Sequence, residues 1–90
     1  MTPKLAPGVA DAPPQSETLT DYDLEHLVLY LRLLDAERDG ADWREAAAAI
    51  LGRDPTAEPE LCRRCWERHL ARAQWMTTTG YRGLLAIDRP

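Results

Sequence analysis

The sequence lacks the features that would assign it to a membrane, secreted or disulfide-rich class of protein. It has no phenylalanine and only two cysteines among 90 residues. No apolar run reaches the roughly 18 residues of a membrane-spanning helix, and the N-terminus has no apolar core of a signal peptide. We therefore expect one small domain in the cytoplasm, with no membrane contact and with both cysteines reduced.

The residues of a catalytic or cofactor site are also missing. There is no glycine-rich phosphate loop. Neither His26 nor His69 stands at a recognisable spacing from a serine or cysteine nucleophile and an orienting acid. A chain this short rarely encloses a substrate pocket. We predict that the protein is not an enzyme and holds no cofactor.

Cys62, Cys65 and His69 are spaced so that all three side chains could share one helix face. A zinc site needs a fourth ligand, and only His26 is available, without the second ligand pair of a zinc finger. A redox C-x-x-C needs a strand just before it, and no strand pattern precedes this one. We favour the interpretation that the cysteines are small apolar core residues and that no metal binds.

The charges are divided unevenly along the chain. Residues 1–60 carry thirteen acids and five bases, residues 61–90 carry two acids and six arginines, and the net charge is −4. Proteins that bind nucleic acid through attraction to phosphates are usually basic overall. A basic third on an acidic body suits docking to a protein partner at least as well as docking to DNA.

Proline, glycine and capping residues divide the chain into segments. Residues 1–18 contain four prolines and few large apolar side chains, which predicts a disordered tail. Residues 19–87 are the predicted domain, and residues 88–90 are a second tail. N-caps, a first-turn proline and terminal glycines place the helices. Their predicted limits are Thr20 to Gly40, Asp42 to Gly52 and Pro59 to about Thr78.

Each predicted helix has an apolar face. On the first, Leu24, Leu27, Val28, Leu31 and Leu34 form the stripe, widened by Leu29, Tyr30 and Leu33. On the second it is Trp43, Ala46, Ala47 and Ile50. On the third it is Leu61, Cys62, Cys65, Trp66, His69, Leu70, Ala73 and Met76. The fold class is all-α, a tri-helical, helix-turn-helix-like bundle with a short C-terminal helical turn at 81–85.

The outer side of the third helix is the predicted partner-binding surface. Acids beside the arginines would repel phosphates, so we expect DNA binding to be unlikely. A solvated, salt-bridged helix face is the alternative for the charged residues, and closure of the core is the alternative for the aromatic ones. The predicted site residues are Arg63, Arg64, Glu67, Arg68, Arg72, Trp75 and Tyr81.

Several short stretches resemble a proteobacterial domain of unknown function. They are Tyr30 to Ala36, Gly40 to Ala47, Arg72-Ala73 and Gly80 to Leu85, and the resemblance covers about residues 24–86. This domain is a DNA-binding module in the type VI secretion regulator RovC. It also occurs in the activator FseA, and QseM, an antiactivator of integrative and conjugative elements, is a short stand-alone member.

The resemblance implies a tri-helical fold of the helix-turn-helix type. The small size and acidic charge are most similar to QseM. Similarity to QseM implies an antiactivator that binds TraR-like quorum-sensing activators and FseA-like activators, and so represses excision and conjugative transfer of an integrative and conjugative element. Glu58, Glu60, Glu67 and Gln74 depart from the arginine-rich third helix of the DNA-binding members. The alternative is a small DNA-binding transcriptional repressor.

Overall fold

The computed structural model describes the backbone of residues 9–80 and the side chains of residues 9–78. Within this range the chain is all-helical and contains no strand, which confirms the predicted fold class. The α-helices are α1 (Asp21–Glu25), α2 (Leu27–Arg38), α3 (Trp43–Ala46) and α4 (Pro59–Trp75). π-Helical turns extend α3 over Ala47–Leu51 and α4 over Met76–Gly80.

The start of α1 is fixed by a capping box. The backbone N–H of Asp23 donates to the Thr20 hydroxyl at 3.3 Å, and the backbone N–H of Thr20 donates to the Asp23 carboxylate at 2.9 Å. Each residue thus satisfies a helix-terminal donor that would otherwise have no partner. The predicted N-cap at Thr20 is confirmed.

The predicted first helix is divided into α1 and α2 at His26. The backbone of His26 leaves helical geometry, with φ −113° and ψ 21°. Its ring stacks on Tyr22 with centroids 3.9 Å apart, and its Nδ1 lies 2.7 Å from the Tyr22 carbonyl oxygen. This side-chain bond to the preceding turn competes with regular helical geometry, which a pattern of apolar residues does not reveal.

The remaining helix limits agree with the predictions. Asp42 caps α3 by accepting from the backbone N–H of Arg44 at 2.9 Å. Gly40 and Gly52 have φ of 76° and 67°, a left-handed conformation that glycine adopts without steric cost. Pro59 occupies the first turn of α4, where a missing N–H has no consequence.

The core lies where α2 and the π-helical turn after α3 pack against α4. One cluster joins the N-terminal part of α4 to α2 and α3, and a second joins the C-terminal part of α4 to α2. Small side chains such as Ala47 and Cys65, both fully buried, allow the helices to approach closely. The clusters contain Leu33, Ala47, Leu51, Cys62, Cys65 and Leu70 in the first, and Tyr30, Ala73 and Met76 in the second.

The face of α2 that meets the core differs from the predicted one. Tyr30 and Leu33 are buried at 0% and 1% exposure. Leu24, Val28 and Leu31 of the predicted stripe are 42%, 71% and 53% exposed. The prediction that these three residues face the core is wrong, because α2 is apolar on nearly every side and the 3.6-residue period alone cannot select one face.

Residues 9–18 belong to the predicted tail, yet they run along the bundle and contact it. Arg53, which follows α3, donates to the carbonyl of Val9 at 2.7 Å and pairs with Asp11 at 2.8 Å. Pro13 is buried. We call residues 9–18 the N-terminal segment. The division into tails and a domain at residues 18 and 87 stays a prediction.

Within the described part of the chain, no helix combines the length and the apolarity that crossing a membrane requires. The predicted C-terminal turn and Tyr81 lie outside the described residues.

Candidate nucleic-acid interface

One continuous stripe of α4 faces solvent. Its members recur at spacings of three and four residues, so they lie on one side of the helix. We call this set the outer α4 stripe: Glu60, Arg63, Arg64, Glu67, Arg68, Ala71 and Gln74, all exposed. The prediction that Arg63, Arg64, Glu67 and Arg68 point outward is confirmed.

The arginines of the stripe differ in their surroundings. Arg63 pairs with Glu67, one turn further along the helix, at 3.7 Å. Arg64 and Arg68 make no ion pair within the described residues. These two are also one helical turn apart, so they present two uncompensated positive charges side by side.

An aromatic and basic cluster lies where α3 meets α4. The rings of Trp43 and Trp66 are tilted against each other at 6.2 Å between centroids. The Arg63 guanidinium lies over both rings, at 5.1 Å from Trp43 and 5.4 Å from Trp66. Arg44 lies over Trp43 at 4.9 Å. The indole rings restrict these arginines at the surface, which lowers the entropy that binding must remove.

Arg72 was predicted to point outward with the other site residues, and this prediction is wrong. Arg72 is only 8% exposed and lies on the inner side of α4. It donates two hydrogen bonds to Asp23, at 2.6 and 3.0 Å, and one to each of the carbonyls of Ser16 and Thr18. A buried guanidinium needs such partners because it has lost its hydration.

Asp23 completes the same network from α1. This carboxylate stands in the first turn of α1, where acids are usually solvated, but it is fully buried. Besides Arg72, it accepts from the Tyr30 hydroxyl at 2.7 Å and from the backbone N–H of Thr20. The spacing Thr20-x-x-Asp23 predicts the helix cap, but no local pattern in the sequence predicts that Asp23 also binds a residue on α4.

The protonation of this network follows from its hydrogen bonds. Burial alone would raise the pKa of the Asp23 carboxyl, but donors from Arg72, Thr20 and Tyr30 outweigh it and lower that pKa to about 2. The hydrogen bonds to Asp23 in turn raise the pKa of Arg72. The buried pair is therefore ionised over the whole neutral range.

His69 and the two cysteines are also inside the bundle. The Nδ1–H of His69 donates to the Cys65 carbonyl at 2.9 Å, and its Nε2 accepts from the Tyr22 hydroxyl at 2.6 Å. Burial lowers the pKa of His69 and raises the pKa of both thiols, so all three groups are held neutral. Among the described residues, no cluster of histidine, cysteine and acidic side chains is arranged to hold a metal ion.

A shallow groove borders the outer α4 stripe. It has a volume of about 290 Å³ and lies between residues 13–17 of the N-terminal segment and α4. Trp75, one of the predicted site residues, is half-buried there, with the Arg72 guanidinium 3.8 Å from its ring. The structure thus brings Arg63, Arg64, Glu67 and Arg68 together on one surface and assigns Arg72 to the interior.

The net charge of the chain overstates the negative charge near α4. Within α4 there are two acids, Glu60 and Glu67, and four arginines, so this helix carries a charge of +2, and the excess of acids lies on other parts of the chain. Phosphates respond mainly to charges within about 10 Å in physiological salt. A net charge of −4 therefore does not exclude an anion-binding surface on the outer α4 stripe.

Comparison with known proteins gives a direct result. A family model described as "T6SS, Transcription factor, DNA binding domain" (RovC_DNA-bd) matches residues 3–86. A search of curated proteins returned no match to the sequence. The family match confirms the resemblance to RovC and does not extend it to FseA or QseM.

The match also corrects the predicted partners. We expected TraR-like and FseA-like activators as partners and DNA binding to be unlikely, and the exclusion of DNA is wrong because the matching family is a DNA-binding domain. The expectation gave too much weight to the acids that stand beside the arginines of the third helix, together with the acidic sum of the chain. No protein partner follows from the match.

Proposed function

Because the chain belongs to the RovC family of transcription-factor DNA-binding domains, we propose that it regulates transcription by binding duplex DNA through the outer α4 stripe. The observation that supports this surface is the adjacent pair of exposed, uncompensated arginines, Arg64 and Arg68. A helix of about 10–12 Å in diameter fits the major groove, which is about 12 Å wide. The domain acts by binding and performs no catalytic step.

The acids on α4 indicate which part of the helix approaches DNA. Glu58 and Glu60 lie at the N-terminal end, where they favour the helix dipole but repel phosphates. The arginines begin one turn later and continue to Arg68. We therefore place the centre of α4, and not its N-terminus, closest to the duplex.

The cluster at the start of α3 supports the same approach. The guanidinium groups of Arg44 and Arg63 both lie over the Trp43 ring, and Arg63 is a member of the outer α4 stripe. In helix-turn-helix proteins the helix before the recognition helix crosses the phosphate backbone. Arg44 is suited to a phosphate contact from this position, and Arg63 is suited to a guanine edge because its side chain is already restricted.

The test is a binding titration with a fluorescently labelled mixed-sequence duplex at several salt concentrations. We expect measurable non-specific binding, because phosphate contacts dominate such affinity. In the Arg64→Ala/Arg68→Ala variant the slope of log K against log salt should become less steep by about 2. The matched control is Arg38→Ala, an exposed arginine on α2.

Three results would contradict the proposal. The wild-type chain could fail to bind any duplex, as expected of an antiactivator that acts without DNA. The Arg38→Ala control could reduce the salt slope by about 1, half the effect of the double variant, which would show a response to total charge. The double variant could keep the full salt slope, which would place the DNA on another surface.

A further inference from the structure

The outer side of α1 and α2 is an apolar surface without a partner in the described part of the chain. Leu24, Val28 and Leu31 are its large apolar side chains, and Val28 is 71% exposed. Val28 and Leu31 are three residues apart on α2 and therefore share one side of it, and Leu24 stands in α1, just before the break at His26. Scattered exposed apolar residues need no explanation, but a contiguous stripe usually marks an interaction site.

A depression lies beside Val28. It has a volume of about 190 Å³, and Val9, Leu29 and Ile50 provide apolar parts of its lining. Glu25 and Arg32 line it as well, together with Val28. The surface therefore combines an exposed apolar stripe, a shallow hollow next to it, and one charge of each sign.

The two charges stand on opposite sides of Val28 along the chain. Glu25 precedes it by three residues and Arg32 follows it by four. Both side chains are exposed, and neither forms an ion pair within the described residues. Glu25 at the end of α1 and Arg32 on α2 line the same depression as Val28, with the acid before Val28 and the base after it, so the surface is complementary to its own copy turned end for end.

We propose that this face, made of Leu24, Glu25, Val28, Leu31 and Arg32 and named the outer α2 face, binds a second copy of the same chain in an antiparallel, two-fold arrangement. In such an interface each contact occurs twice. Glu25 meets the second copy's Arg32, and Leu24 meets the second copy's Leu31. Charged residues that flank an apolar helix stripe set partner choice and direction in the same way in coiled coils.

The outer α2 face and the outer α4 stripe do not compete for space. α2 and α4 pack through their inner sides, where Tyr30 contacts the cluster of Ala73 and Met76. Their outer sides therefore point away from each other, and a pair formed through α2 leaves both copies of α4 open. The inference does not depend on the proposed DNA contact, and its test contains no DNA.

The first test measures the mass of the full chain by sedimentation equilibrium over a range of concentrations. We expect a monomer–dimer equilibrium in the micromolar range, since the apolar stripe is short. Val28→Glu should weaken association by at least about tenfold, because it places two carboxylates at the centre of the interface. Ala71→Glu, the same kind of change on an exposed position of α4, is the control and should leave association unchanged.

The second test uses the two-fold symmetry. Glu25→Arg and Arg32→Glu should each weaken the dimer, because like charges then face each other. The double variant Glu25→Arg/Arg32→Glu carries both reversals in one chain, so opposite charges face each other again and association should recover. A heterologous partner would not produce this recovery between copies of one variant.

Circular dichroism verifies that every variant keeps its helix content. A wild-type chain that stays monomeric at all concentrations overturns the proposal. A double variant that associates as weakly as the single variants overturns the two-fold arrangement. Loss of association in Ala71→Glu but not in Val28→Glu would place the contact on α4 instead.

Discussion

The two halves of α4 are attached to the rest of the molecule by different kinds of interaction. The N-terminal half packs through Cys62 and Cys65 into an apolar cluster with Leu33 and Leu51. The C-terminal half is attached through Arg72 and His69, which are buried and hydrogen-bonded to the N-terminal segment and α1. The N-terminal half depends mainly on apolar packing, and the C-terminal half adds matched donors and acceptors to the apolar contacts of Ala73 and Met76.

The two kinds of attachment respond differently to change. When a buried apolar side chain is shortened, the free energy of unfolding falls roughly in proportion to the volume of the cavity that is left. Deleting one member of a buried ionic network costs more free energy, because the other members stay desolvated and lose a partner. We therefore predict that removing one side chain lowers the free energy of unfolding more in the polar, C-terminal half of α4 than in its apolar, N-terminal half.

The largest effect is expected for Arg72→Ala. This change leaves the Asp23 carboxylate buried without its counter-charge and removes the donors to the Ser16 and Thr18 carbonyls. The free energy of unfolding should fall by about 3–5 kcal/mol, as measured by urea denaturation.

The double variant Asp23→Asn/Arg72→Met is the matched control for that change. It removes both charges, so its loss of unfolding free energy should be smaller than the sum of the losses in Asp23→Asn alone and Arg72→Met alone. A double variant that behaves additively would show that the two groups do not stabilise each other.

The apolar half is tested by Leu33→Ala, with an expected loss of about 3 kcal/mol because the side chain is 1% exposed. Val28→Ala on the opposite face of α2 should change stability by less than about 0.5 kcal/mol at dilution, where the chain is monomeric. Equal losses at both positions in thermal unfolding would mean that the assignment of inner and outer faces of α2 is wrong.

The smallest effect is a dependence of stability on pH, from His69. Burial lowers the pKa of its imidazole in the folded chain, so the unfolded chain binds a proton more readily. The contribution of His69 to the free energy of unfolding should be fully present above the unfolded pKa of about 6.5, and it should decrease as the pH falls below that value. Urea titrations at a series of pH values measure this slope.

Two observations distinguish the contribution of His69 to this pH dependence from the contributions of other titrating groups. In His69→Gln the decrease just below the unfolded pKa of about 6.5 should disappear. The contribution of Asp23 lies lower, because its pKa is reduced from 3.8 to about 2, and it is lost only as the pH falls through that interval. A slope that persists in His69→Gln would assign the effect to another group.

The comparison also explains which parts of the molecule are predictable from sequence. Caps, terminal glycines and a first-turn proline act locally, so the predicted limits at Thr20, Asp42, Gly52 and Pro59 agree with the structure. The inner side of α4 is predictable for a similar reason, since its apolar residues alternate clearly with charged ones. On α2 apolar residues occur on nearly every side of the helix, so their 3.6-residue periodicity does not identify the side that faces the core.

The polar half of α4 was the least predictable part. A charged residue is almost never buried unless it is paired, so the sequence favoured an exposed Arg72. Its partner, Asp23, stands 49 residues earlier in the chain. No local pattern connects them, and the same is true of the link between Arg53 and Val9. The outer arginines of the candidate site were predictable because exposure requires no such partner.

The N-terminal segment is fixed mainly through its own backbone. Arg53 binds the carbonyl of Val9, and Arg72 binds the carbonyls of Ser16 and Thr18. Every amino acid carries a carbonyl oxygen, so the side chains at positions 16 and 18 can be exchanged without loss of these bonds. The path of the segment is thus encoded largely by two distant arginines, which leaves positions 16 and 18, unlike Asp11 and the buried Pro13, free to acquire other roles.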